Sequence, residues 1–160
     1  MKRVWTACAL VVGALLATSG AASAQSVTLT ATLTAGEETP IILSGGVGTA
    51  EVTVDPVARE LTVALRVFNL ATGTAAGHIH IGPKGIAGPV VINFPIPTGQ
   101  VGDLNLRFRL GPAAFVARPE IGINSLDDAI QSIVGGNSYV NIHTAQYPAG
   151  EIRGQLAVSQ

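Results

Sequence analysis

The chain has 160 residues, of which 12% are charged and 4% aromatic, and its formal net charge is −1. So few basic side chains, scattered along the sequence, exclude the basic patch that nucleic-acid partners require. The length suits one domain that buries its own core without disulfide staples.

The first 24 residues, MKRVWTACALVVGALLATSGAASA, read as a secretory signal peptide. Lys2 and Arg3 open it, an apolar stretch follows, and Ala22-Ser23-Ala24 supplies a small-residue cleavage pattern. Gly13, Thr18, Ser19 and Gly20 interrupt the apolar run, which disfavours a membrane anchor. The single cysteine, Cys8, lies inside this leader and too early in it for a lipidation site. Residues 25–160 are therefore expected to form one domain, periplasmic or secreted, with no disulfides, no thiol chemistry and no membrane attachment after cleavage.

Beyond the leader, apolar and polar residues alternate in the manner of half-buried strands. The segments are SVTLTATLTA (26–35), GTAEVTVD (48–55), ELTVALRVFNL (60–70), AGHIHIG (76–82), PVVINF (89–94), DLNLRFRL (103–110), YVNIHTA (139–145) and EIRGQLAVS (151–159). Turn signals rich in Gly and Pro separate them; GPKGIAGPV, despite three Gly-X-Y triplets, is one such loop and not collagen, which needs that period over a long tract. Arg107 and Arg109 share a strand face and read as solvating charges. SLDDAIQSIVGG breaks the alternation: Ser125 and Asp128 form a capping box, Leu126, Ala129, Ile130, Ile133 and Val134 share one helical face, and Gly135 ends a short helix near 125–134. The predicted class is all-β, an antiparallel β-sandwich or Greek-key barrel of about eight strands with that one helix.

All three histidines lie in two of these strands. His78 and His80, two residues apart, project from one face about 6.6 Å apart, while Ile79 and Ile81 take the other. Tyr139, Asn141 and His143 likewise oppose Val140 and Ile142. With the isoleucines turned to the core, the imidazoles belong on the outer face. Matching apolar faces across the turn TAQYPAG sets Ile142 opposite Ile152, hence Asn141 opposite Arg153 and His143 opposite Glu151. The candidate binding surface is therefore His78, His80, Asn141, His143, Glu151 and Arg153.

GHIHIGPKGIAGPVVINF followed by YVNIHTAQYPAGEIRGQL resembles the CHRD domain, found in the secreted antagonist chordin and in exported bacterial proteins. The resemblance spans about residues 27–158 and rests on His78, His80, Gly82, Asn141, His143, Thr144, Pro148, Gly150, Glu151, Arg153 and Gly154. It implies an extracellular module and brings no catalytic residues. Gly77-His78-Ile79-His80 is also similar to the copper-ligand strand of copper–zinc superoxide dismutase, but that enzyme needs more histidines, a zinc loop and a disulfide.

The expected function is a non-catalytic binding or structural module for an unknown protein or extracellular ligand. The alternative is a copper or zinc site made by His78, His80 and His143, with Glu151 as a fourth ligand or as the partner that fixes an imidazole's tautomer. Thr144 faces away from His143, so a Thr–His dyad is disfavoured.

Overall fold

The computed structural model describes residues 25–159; the expected signal peptide lies outside them. The strands are β1 (Val27–Thr34), β2 (Val47–Asp55), β3 (Glu60–Phe68), β4 (Thr74–Ile81), β5 (Val90–Asn93), β6 (Leu104–Leu110), β7 (Ser138–Thr144), β8 (Ile152–Gln155) and β9 (Ala157–Val158). The last predicted strand divides into β8 and β9 at Leu156, and the others correspond to β1–β7. Among the described residues one helix, α1 (Leu126–Val134), joins them, with three short 3-10 turns.

Every strand pair is antiparallel. The strands form one sheet in the order β5-β4-β7-β8-β1-β2-β3-β6, with β9 alongside β1. The predicted antiparallel all-β class is thus realised as a single curled sheet, a half-barrel. The stretch after β6 returns to the edge of β5: Phe115 bridges Ile92, Val116 N–H donates to Val91 O at 2.9 Å, and Arg118 Nε–H donates to Val90 O at 2.8 Å.

Alternation explains the core. Leu29 and Leu33 on β1, Val52 and Val54 on β2, Leu61, Val63, Leu65 and Val67 on β3, Ile79 on β4, Val140 and Ile142 on β7 and Ile152 on β8 are buried inside the curl. Fully burying each such side chain contributes roughly 1.5–3 kcal/mol. Helix α1 starts at the predicted capping box: Asp128 N–H donates to Ser125 Oγ, and Ser125 N–H donates to Asp128 Oδ2 at 2.9 Å. Leu126, Ala129, Ile130 and Ile133 form its buried face.

One strand departs from the half-buried pattern. Every residue of β7 is buried, on both faces. Its inner face meets the core, and its outer face is covered by loop segments 35–40, 82–89 and 145–150, which carry the contacts described next.

Candidate functional site

Strands β4 and β7 are direct neighbours, with His78 opposite Asn141, His80 opposite Tyr139 and His143 opposite the small Ala76. Beyond Asn141 and Tyr139 lie Arg153 and Gln155 of β8. Strand parity therefore does what the sequence requires of it: His78, His80, His143, Asn141 and Arg153 share the outer face.

The three imidazoles meet. His78 Nδ1 and His143 Nε2 are 3.1 Å apart, and ring centres are separated by 4.9 Å for His78–His143, 5.6 Å for His78–His80 and 6.0 Å for His80–His143. One nitrogen from each ring falls within 4.8 Å of the others. Three nitrogens about 2.05 Å from one ion in a trigonal plane are about 3.6 Å apart, so the rings need to close by up to about 1.2 Å to share a metal.

Their protons are fixed by backbone oxygens. His80 Nδ1–H donates to Gly88 O at 2.8 Å and His143 Nδ1–H donates to Pro148 O at 3.0 Å, because a carbonyl can only accept. Each Nε2 therefore carries a lone pair. His143 Nε2 accepts from His78 Nδ1–H, whereas His80 Nε2 is buried with no hydrogen-bond partner among the described residues.

Burial holds His78 at a pKa of about 4, with repulsion from His143 and His80 adding to it. Burial also brings His80 to about 4, opposed by its bond to Gly88 and reinforced by His143, Arg153 and Arg118. His143 is lowered by burial against the Pro148 bond. All three rings are neutral at pH 7.

Packing holds His80 in place. The Tyr139 ring stacks on it at 4.8 Å and 11°, and the Arg153 guanidinium carbon lies 4.1 Å from the Tyr139 ring centre. Gly88 N–H donates to Tyr139 Oη at 2.9 Å, so one glycine anchors both stacked rings. Arg153 also donates to Ile86 O at 3.3 Å, and Lys84 pairs with Glu37 at 2.9 Å, tying the loop over the site to the segment beside it.

Two expectations need correction. The outer face is not solvent-exposed: His80 is 7%, His143 8%, Asn141 3% and Arg153 3% exposed, because alternation shows which way a side chain points and not whether a loop folds over it. Only His78 is half-buried. Glu151 does not join the cluster. Gly150, at φ +133°, turns the chain just before β8, and Ile142–Ile152 is the last rung of the ladder. The Glu151 carboxylate instead accepts from Thr144 Oγ1 and Ser44 Oγ, both at 2.6 Å, and from Ala71 N–H at 2.7 Å, fully buried. Arg109 stays exposed, 3.6 Å from Glu60.

Other contributors escaped the sequence reading. Tyr139 was on the correct face by parity, but nothing marked its stack. Glu38 comes from a loop that periodicity cannot place, yet it is buried over Gly150 beside Asn141. Burial raises its pKa to about 7, against the pull of Arg153 and hydrogen bonds from Thr39 and Asn141.

These shifts set a pH dependence for the metal-free protein. Between about 6.5 and about 4 the unfolded imidazoles take up protons that the folded ones refuse, so their contribution to stability is lost as the pH falls. Glu38 acts in the opposite sense: between 4.5 and about 7 its folded carboxyl keeps a proton that the unfolded chain releases. The shifts of His78 and His80 together outweigh that of one carboxyl, and His143 acts in the same direction. Thermal melts from pH 7 down to pH 5 are expected to show a falling midpoint, with a shallower slope in His80→Gln and a steeper one in Glu38→Gln. A midpoint that holds level or rises on acidification would contradict this.

Fold and site together define a small all-β half-barrel domain with a buried histidine cluster under a glycine-rich loop. The chain belongs to the CHRD domain family, whose family model matches residues 29–156. No curated protein and no solved structure matches it. No helix among the described residues is long and apolar enough to cross a membrane.

Proposed function

We propose that this CHRD domain is an exported, non-catalytic metal-binding module in which His78, His80 and His143 hold one copper or zinc ion. The observation that carries this reading is the buried Nε2 of His80, without a partner among the described residues, in a ring whose centre lies 5.6 and 6.0 Å from those of two further imidazoles. A buried acceptor left without a partner costs about 1–3 kcal/mol, and a cation accepting its lone pair would remove that cost. The Nδ1–H bonds of His80 and His143 to backbone carbonyls are the outer partners that orient imidazole ligands. Imidazole suits copper and zinc. Binding would exchange the His78–His143 hydrogen bond for two metal bonds, with the His78 proton moving to its Nε2.

A second reading, in which the cluster only ties β4 to β7, is favoured by that same 3.1 Å bond. One titration separates the two. The only tryptophan is Trp5, in the leader, so Tyr139 and Tyr147 are the only strong fluorophores of residues 25–160. Copper(II) is expected to quench Tyr139 with a break at one ion per chain. His80→Gln and His78→Gln are expected to weaken uptake by about 100-fold or more, beyond the range for losing an outer-shell partner. Titrations of the wild type that stay flat both with copper(II) and with copper(I) under ascorbate and argon, with His80→Gln merely less heat-stable, would leave the tie between strands as the role.

A further inference from the structure

We infer that the histidine cluster is built for copper in its +1 state in preference to any divalent ion. This rests on the metal reading above and names the ion. Among the described residues no carboxylate joins the three imidazoles, so all the donors are neutral. Glu151 is spent on Thr144, Ser44 and Ala71. A bound ion would therefore keep its full charge in a largely buried place. Solvation cost grows with the square of that charge, so a dication is penalised about four times as heavily as a monocation.

Two guanidiniums add to the penalty. Arg153 caps the ring stacked on His80, and Arg118 is bonded to Val90 O, the residue paired with His80 across β4 and β5. Neither makes a carboxylate ion pair among the described residues. Glu38 is the buried acid that faces Arg153, and it lies outside the group of imidazole nitrogens. Coordination number points the same way. Three nitrogens complete a trigonal monovalent copper, whereas zinc prefers four ligands and would have to recruit water or an anion past half-buried His78. The chain beyond the leader has no cysteine or methionine, so the preference comes from charge and not from sulfur.

The test uses the purified protein, residues 25–160. Copper(I) affinity is measured against a chromophoric copper(I) chelator under ascorbate and argon, copper(II) and zinc(II) affinities against chelators of their own, and the potential of bound copper by voltammetry. Copper(I) is expected to bind tightest, with a potential above that of the free ion couple. Arg153→Met keeps packing on Tyr139 and removes the charge. At about 9 Å from His80 through the two stacks, and an effective dielectric near 20, its loss should shift relative affinity toward copper(II) by about twentyfold. That corresponds to about 75 mV downward. If Arg153→Met does not fold, Arg118→Met is measured for a shift of the same sign. Tighter binding of copper(II) or zinc(II), or a potential indifferent to these arginines, would overturn the inference while leaving a metal site. Absence of binding by every ion would remove the site itself.

Discussion

Glu151→Ala is expected to lower stability by about 3–5 kcal/mol, since it removes a fully buried side chain and strips the acceptor from three donors at once, the buried Thr144 hydroxyl among them. The carboxylate joins three separate stretches: the end of β7 through Thr144, the segment before β2 through Ser44, and the segment before β4 through Ala71. The same end is also held by Ala145 N–H donating to Gly73 O at 3.1 Å and Tyr147 Oη–H donating to Leu43 O at 2.8 Å, but the carboxylate alone bonds all three stretches, and Gly46 packs against it, since a Cβ there would lie 3.0 Å away. Glu151→Gln keeps one oxygen and presents an amide to a hydroxyl that can rotate and accept, so a loss of about 1–2 kcal/mol is expected. Urea titrations of the three proteins measure both. A Glu151→Ala midpoint within error of the wild type would show that the donors find water instead.

The second large effect is at Gly88. An added Cβ would overlap the backbone carbonyl of Ile81, so the loop must move. Moving it breaks the Gly88 bonds to His80 and Tyr139. Gly88→Ala is expected to cost about 2–4 kcal/mol and to weaken metal binding by about 10–100-fold by releasing the ring that Gly88 orients. Gly85 in the same loop provides the control. Its φ is +81° but a Cβ there meets nothing, so Gly85→Ala should cost only about 1 kcal/mol and leave metal uptake intact. Equal effects at the two glycines would mean that backbone strain, and not the latch on His80, governs the site.

Much of this architecture was legible in the residues because strand parity is strict. Ile79, Ile81, Val140 and Ile142 set the faces, and the pairing of Ile142 with Ile152 and Asn141 with Arg153 follows from burying them. The capping box named the start of α1. What parity could not convey was the fate of residues just outside a ladder. Glu151 follows Gly150, whose positive φ ends the alternation that would have placed it beside His143. Nor could it reveal that loops fold back over the outer face: Gly88, Pro148 and Glu38 reach the cluster through turns whose direction depends on tertiary contacts. Expected exposure and expected Glu151 contact failed for the same reason. Both concern chain between strands.

The sheet order also governs when the site can exist. His78 and His143 are 65 positions apart, and β7 enters between β4 and β8 only after most of the chain has been made. Pairings of such large sequence separation close slowly, so the imidazoles are expected to come together late in folding. A chain cut short before residue 138 would leave β4 partnered only by β5 and one edge of β1 open, a template for joining another chain. Copper bound as proposed, supplied during refolding, is therefore expected to accelerate only the final phase, after the β1-β2-β3 meander has formed.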